Sequence, residues 1–405
     1  MSRLRFGYVT APLLGALWMV VLAITVAVVM SFSTGAPFRP VILLSLMWGA
    51  VIGFGLLTPR VPSLVVAALV GAGLAVAGLA GVAPVATGEG VGLVAAGLAH
   101  VVLGAIFGYS MLVILDGLPT GSATRHEFEE AVIRFLTGFG YIFFTAIVAI
   151  PFYVMVMTSL KNQAELMANP LDFSIDLSQG WGLFRSYVEL FQDFNFGSYL
   201  WTSFYVSVLT VLLTLAFSIP GAYAVARLRF KGRAAFSRSI LLIYMVPMIV
   251  LALPIYIAFS MAGLRNTIFG ILLIYPVTTI PVALYMLQGY FRGLPAEIEE
   301  AGLMDGLSRL AVIWKITLPL SLPALASVSL YVFMIAWNEF LLAFMLLDDP
   351  SKFTLTRGIA SLNSSEIPRQ HLMAGAVIAT VPIMVIFLGL ERFMTKGLTA
   401  GSVKG

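Results

Sequence analysis

The sequence predicts an all-α membrane protein with about ten transmembrane helices, and three observations carry that reading. Sixty per cent of its 405 residues are hydrophobic and only 10% are charged. The mean hydropathy is +1.00. Apolar runs near the ~20 residues that cross a bilayer also recur along the chain. A water-soluble protein of this length needs far more charge to cover its surface. The runs fall near residues 11–33, 39–57, 62–84, 91–115, 132–158, 199–226, 239–260, 268–291, 319–345 and 371–393. Arg3 and Arg5 precede the first run, as in a signal peptide. That run is longer than a signal peptide's apolar core and further spans follow at once, so it reads as a retained helix.

Composition also excludes several functions. The net charge of +4 comes from 23 Lys and Arg against 19 Asp and Glu. Basic residues of a membrane protein belong in cytoplasmic loops, which makes nucleic acid a poor partner and membrane lipid the expected surroundings. The chain has no cysteine, which removes disulfides, thiolate metal sites and cysteine nucleophiles. Its three histidines, His100, His126 and His371, share no ligand spacing. No metal or cofactor is expected.

Sorting the basic residues sets the expected orientation. With the N-terminus inside, 16 of the 23 Lys and Arg lie on the cytoplasmic side, and both termini are cytoplasmic. The cluster Arg227, Arg229, Lys231, Arg233 and Arg238, in one short loop, is the firmest anchor.

Two regions differ in character. Residues 1–120 hold four runs rich in Gly and Ala, with small residues one turn apart at Ala67, Gly71 and Ala75 and at Gly104 and Gly108. That spacing lets helix backbones approach closely in lipid. A linker from Asp116 leads to Thr124, three residues before Glu127, the spacing of a capping box that opens a new helix. Residues 121–405 follow, with six runs and one long outer loop at about 159–198. This loop carries Asp172, Asp176, Trp181, Tyr187, Glu189, Phe191, Asp193 and Phe194. It suits interfacial helices or a docking partner equally, because aromatic residues anchor at membrane interfaces.

The segment 294–319 is the most informative. Pro295 suits a first helical turn, and Glu297, Glu299 and Glu300 complement the positive end of the helix dipole. Asp305 and Gly306 favour a left-handed turn. A second helix is expected from about Ser308, with Leu310, Ile313 and Trp314 on one face, until Pro319 opens the next span. The residues alone therefore give a short amphipathic hairpin at the cytoplasmic surface.

The series Glu300-Ala301-Gly302, Asp305-Gly306 and Ile316-Thr-Leu-Pro319 resembles the EAA loop of binding-protein-dependent ABC importer permeases. Gly302 stands where that pattern has its second Ala, Leu307 where a small residue is usual, and Leu310 where an aromatic is common. Ala222-Tyr-Ala-Val-Ala-Arg-Leu-Arg-Phe-Lys-Gly232, Gly263-Leu-Arg-Asn-Thr267, Ala336-Trp-Asn-Glu-Phe340 and the tail from Lys396 to Gly405 resemble the carbohydrate branch, the maltose-type, MalG-like permeases. The resemblance covers about residues 127–405 and leaves out the first four runs.

The resemblance implies a six-helix type I ABC importer permease core preceded by four extra helices. It implies a permease subunit of an ATP-driven sugar importer in the bacterial inner membrane. Its partners would be two ATP-binding subunits, a second, MalF-like permease and an extracytoplasmic sugar-binding protein. Glu297, Glu300, Ala301, Gly302, Asp305 and Gly306 would couple to the ATPase, and Gly397, Gly401 and Lys404 of the tail would contact it. The chain has no Gly-x-x-x-x-Gly-Lys-[Ser/Thr] phosphate loop, so hydrolysis is expected on another subunit and this chain is expected to be no enzyme.

Glu339, with Trp337 and Asn338, either lines the sugar path or makes a structural hydrogen bond near the outer surface. The alternative function is a secondary transporter driven by an ion gradient. Such proteins carry acidic or histidine relays at mid-membrane depth, and the runs here offer only Glu339, His100 and Arg134.

Overall fold

The computed structural model describes residues 5–58, 62–169, 172, 174–364 and 366–399. The chain forms two compact units, residues 1–183 and 184–405.

The first unit contains α1 (Gly7–Thr34), α2 (Ile42–Gly55), α3 (Ser63–Leu79), α4 (Leu93–Leu115), α5 (Arg125–Ser159) and α6 (Gln163–Ala168). Its helices pack in pairs through bare backbone. A Cβ on Gly104 would stand 2.6 Å from the Val70 carbonyl oxygen, and one on Gly71 would stand 2.9 Å from that of Val101. These contacts join α3 to α4 through the small residues picked out by their spacing. The α1–α2 seam, which the sequence reading passed over, is tighter: a Cβ on Gly49 would lie 2.2 Å from the Gly15 carbonyl oxygen.

Trp18 of α1 is buried, donates its indole N–H to Ser110 Oγ at 2.7 Å and meets the Phe135 ring edge-on. Tyr153 stacks on Phe32 and donates to its carbonyl at 3.0 Å. These contacts bind α5 to the N-terminal helices, so the compact unit runs to Leu183 although the linker divides the sequence near residue 120. The expected capping box is present, with Glu127 N–H on Thr124 Oγ1 at 3.3 Å and Thr124 N–H on the Glu127 carboxylate at 2.7 Å.

A feature the all-helical reading did not foresee is a two-stranded antiparallel ribbon, β1 (Phe38–Pro40) with β2 (Val85–Thr87). His100 lies 2.9 Å from the Val85 carbonyl and is buried, which makes it a structural tie. Arg134 is held by Glu130 at 2.6 Å and by the Val113 and Asp116 carbonyls.

The second unit contains α7 (Arg185–Asp193), α8 (Phe196–Arg227), α9 (Arg233–Tyr244), α10 (Met248–Met261), α11 (Ile268–Gly293), α12 (Ala296–Met304), α13 (Arg309–Val312), α14 (Leu318–Leu320), α15 (Leu322–Asn338), α16 (Leu341–Leu346), α17 (Leu355–Ser361) and α18 (Arg369–Thr399). Helices α8, α11 and α15 pack together, with α18 on α15. Two apolar clusters hold the unit. One gathers Phe196, Tyr275, Trp337, Leu342 and Phe353. The other gathers Ala222, Tyr223, Leu287, Phe291 and Val332. On α8 the stretch between them buries Ser207, Thr210, Thr214 and Ser218 fully, and the Thr214 and Thr279 hydroxyls meet at 2.6 Å. Small polar residues at helical spacing permit close packing here, a stripe the sequence reading missed.

Asn266 adopts φ +55° and ties the Gly263–Thr267 segment to the far side of α16. Its side-chain oxygen accepts from the backbone N–H groups of Asp348 and Asp349 at 3.2 and 3.0 Å, and Arg265 pairs with Asp348 at 2.7 Å. On α7, Glu189 takes hydrogen bonds from Arg185 and from His371 of α18. Arg185 foremost, with His371 adding to it, holds that carboxyl below its usual range.

Among the described residues six helices are long and apolar enough to cross a membrane: α1, α4, α5, α8, α11 and α18 over Arg369–Gly389. The segment Arg309–Leu320 with Leu322–Asn338, bent by 81°, would count as a seventh if taken as one span. The shorter apolar helices α2, α3 and α10 occupy the remaining apolar runs. Two runs are broken. The run at 239–260 divides into α9 and α10 before Pro247, and that at 319–345 divides into α15 and α16 at Glu339 and Phe340.

Candidate functional site

The hairpin at 296–320 is built as an inward face that locks it and an outward face that is free. Pro295 is the N-cap of α12, and Glu297 and Glu299 fill its first turn. At 3.6 residues per turn, Glu297, Ala301 and Met304 share one side, with Glu300 on its flank. All four are exposed, Met304 by 87%. Glu300 makes no ion pair among the described residues.

Glu299 and Gly302 point the other way. A Cβ on Gly302 would stand 2.5 Å from Ile316 Cδ1, so Gly302 faces the returning arm and not the outer edge beside Ala301. Its bareness lets the two arms close.

Glu299 is 7% exposed. Its carboxylate accepts from Thr317 Oγ1 at 3.0 Å and from the Tyr223 hydroxyl at 3.2 Å, and Arg227 Nε lies 3.5 Å away. Arg227 also donates to the Leu294 carbonyl at 2.7 Å. One carboxylate thus joins both arms of the hairpin to the end of α8. Sequence reasoning placed Glu299 only among the dipole-complementing acids.

The turn follows the expected chemistry. Gly306 has φ +85° and donates its N–H to Leu303 at 3.1 Å, while Leu307 N–H reaches the Gly302 carbonyl. The returning arm differs from the expected continuous α-helix. It begins as α13, capped by Ser308 on Ala311 N–H at 3.2 Å, becomes a π-helix at Ile313–Thr317 and returns to α-helix as α14. Such π-helical turns recur at functional sites. The wider turn brings Thr317 onto Glu299. It also separates the expected face: Leu310 and Trp314 are each 71% exposed, whereas Ile313 packs against the second apolar cluster. Pro319 does not open the next span, because the break comes at Ser321, where the chain bends by 81° into α15.

Trp337, Asn338 and Glu339 are each engaged within the fold. Trp337 is buried and donates to the Ala379 carbonyl at 3.1 Å. Asn338 is exposed and turns back to the Met334 carbonyl at 2.9 Å. Glu339 accepts from Leu342 and Ala343 N–H at 2.9 and 3.1 Å, capping α16. Its geometry is that of a helix cap. Glu339→Gln is expected to cost about 1 kcal/mol of stability and to leave transport affinity unchanged in an uptake assay. A large loss of affinity at unchanged stability would make it a substrate contact instead. Of the tail residues, Gly401 and Lys404 lie outside the described residues, as does the side-chain environment at Gly397.

The hairpin lies within a stretch that matches a known family. Residues 218–399 match the family described as "Binding-protein-dependent transport system inner membrane component". The inner membrane ABC transporter permease protein YcjP of Escherichia coli (strain K12) is 39% identical over 269 residues, 66% of this chain and 95% of its own. The trehalose/maltose transport system permease protein MalG of Thermococcus litoralis is 34% identical over 282 residues, 68% of this chain and 99% of its own. A solved bacterial ABC transporter involved in the import of the acidic polysaccharide alginate shares the fold, with a TM-score of 0.56 at 23% identity, over 66% of this chain and 98% of that one.

The chain belongs to the family of binding-protein-dependent ABC transporter permeases. It is a multi-pass inner-membrane protein and a non-catalytic permease subunit, with ATP hydrolysis on a separate subunit. Membership implies an importer assembled with an ATPase, a second permease and a substrate-binding protein. It also sets aside the ion-gradient transporter.

Proposed function

We propose that this permease serves a carbohydrate importer and couples sugar translocation to ATP hydrolysis through the outward face of the hairpin at 296–320. The observation that carries the proposal is the division of labour within the hairpin. Gly302 and Thr317 close its arms and Glu299 fixes it to α8 through Tyr223 and Arg227, while Glu297, Glu300, Ala301 and Met304 are left exposed. Asp305 and Gly306 set the turn between the arms. A charged edge beside a small residue and an exposed methionine suits a salt-bridged, closely packed contact with another subunit. Force applied there passes through Glu299 and Arg227 to α8, and through the bend at Ser321 to α15. Two ATPase subunits, drawn together by ATP, would each hold one such hairpin.

The carbohydrate class rests on relatives named for trehalose and maltose and for arabinooligosaccharides, the latter 31% identical and from Halalkalibacterium halodurans. On the same footing the second permease is distinct and MalF-like, and the binding protein is an extracytoplasmic sugar-binding protein. The tail around Gly397, Gly401 and Lys404 touches the ATPase. The chain spans the membrane ten times with both termini in the cytoplasm, and residues 1–120 are a four-helix addition to a core at 121–405.

Glu300→Lys tests the coupling. The variant is expected to insert and assemble normally but to lose sugar-stimulated ATPase activity in the purified complex. Normal stimulation would refute the proposal.

A further inference from the structure

The basic loop between α8 and α9 carries more than orientation. Five cations stand between residues 227 and 238 with no carboxylate among them. Two are used internally. Arg227 serves Glu299 and the Leu294 carbonyl. Arg233 donates to the carbonyls of Val225 and Ala226 at 2.6 and 2.9 Å, satisfying the C-terminal end of α8.

Arg238 of α9 and Arg292 of α11 are different. Together with Arg233 they line one concave pocket of about 540 Å³, walled by Phe230, Gly232 and Ser237. The N-terminus of α9 begins there, after Gly232 at φ +89°. Among the described residues no carboxylate lies within ion-pair distance of any of these three guanidiniums. Arg292 approaches only Ser237 Oγ, at 3.5 Å, and that hydroxyl turns to Gln288. Elsewhere Arg125, Lys161, Arg185, Arg265 and Lys352 each pair with an acid. Two guanidiniums without an acid partner, those of Arg238 and Arg292, with the remaining edge of Arg233 in the same pocket beside a helix N-terminus, therefore make a site for a multiply charged oxyanion.

The rim of the pocket names the class of molecule. Phe230 in the pocket wall is 45% exposed, and Phe236, Leu242 and Met245, along α9 and just past its end, are 47%, 64% and 74% exposed. A small soluble anion would neutralise the arginines and leave this apolar surface bare. An amphiphile satisfies both.

We propose that Arg233, Arg238 and Arg292 bind the headgroup phosphate of an anionic phospholipid, with an acyl chain leaving the pocket past Phe230 into the membrane. A basic pocket opening beside membrane helices fits such a headgroup. The site lies at the end of α8 that the hairpin grips through Arg227, so its occupancy is positioned to steady that helix.

The test uses the assembled importer in nanodiscs of equal parts phosphatidylcholine and phosphatidylglycerol, followed by mild detergent extraction and counting of retained phosphatidylglycerol by native mass spectrometry. Arg238→Gln with Arg292→Gln is compared with Arg229→Gln, which removes an exposed charge of the same loop outside the pocket. Melting temperature and size-exclusion profile check each variant's fold, and single Arg238→Gln replaces the double variant if that one does not assemble. The double variant is expected to lose phosphatidylglycerol retention about tenfold, with Arg229→Gln unchanged. Equal retention in all variants overturns the proposal. Equal loss in Arg229→Gln also overturns it, since a diffuse surface potential then suffices. Displacement of the lipid by inorganic phosphate at matched concentration would mark a soluble-anion pocket and overturn it too.

Discussion

Glu299→Ala is expected to destabilise the permease by about 3 kcal/mol and to uncouple it. The change removes the acceptor for Thr317 and Tyr223 and leaves Arg227, largely buried, without its counter-charge. Breaking one side of a buried ion pair costs about 3–5 kcal/mol, more than the pair contributes, because the remaining charge stays desolvated. Arg227 keeps its bond to the Leu294 carbonyl, which places the effect at the lower end of that range. Glu299→Gln retains an acceptor and the side chain's volume and should lose roughly half as much. Tyr223→Phe removes a single hydrogen bond and should cost about 1 kcal/mol. Thermal unfolding of the purified protein orders the three variants. If Glu299→Ala melts with the wild type, the carboxylate is not the clamp described above.

Gly306→Pro should have the second largest effect, and a different one. Gly306 sits at φ +85°, which proline cannot adopt, and its N–H donates to Leu303. Proline there also disfavours the helical backbone of Asp305, at φ −71° and ψ 3°. The turn would open and the outward face would be displaced relative to Glu299. Membrane insertion and sugar-independent ATPase activity should persist, with sugar stimulation falling to background in proteoliposomes. Gly306→Ala separates conformation from bulk, because a Cβ at this position meets nothing within 4 Å. It should retain much of the stimulation at a cost of about 1 kcal/mol. If alanine is as damaging as proline, the turn geometry is not what matters.

These two positions show what the sequence makes legible. Gly306 was identifiable because a glycine after Asp305, at the end of an acidic first turn and before a new apolar stretch, has one economical conformation. The capping box at Thr124 and Glu127 was equally local, and the small residues at Gly71 and Gly104 do sit where helix backbones approach closely, although their spacing did not say which helices meet. Glu299 was not assigned its role, because its partners come from two other segments, Tyr223 and Arg227 from the end of α8 and Thr317 from the returning arm. Nothing in the spacing of an acidic triplet says which member turns inward until the opposing helix is in place. The π-helix at Ile313–Thr317 has the same origin. It serves the contact of Thr317 with Glu299, and the local sequence has ordinary helical periodicity. The broken runs at 239–260 and 319–345 read as continuous spans because hydropathy measures transfer to lipid and is blind to bends. Pro247 and the capping carboxylate of Glu339 were the local signs of those breaks.

The absence of cysteine from the chain makes the central claim directly testable. A single cysteine at Met304, 87% exposed on the outward face, can carry a thiol-linked photo-crosslinker in the assembled importer. A second cysteine variant at Val312, fully buried in the returning arm, serves as the inward control. Irradiation should join the Met304 position to the ATPase subunit in high yield, with little or no product from the Val312 position. A Met304 probe that reaches only lipid or the second permease, in a complex that still hydrolyses ATP in response to sugar, would contradict the assignment of this hairpin as the coupling element.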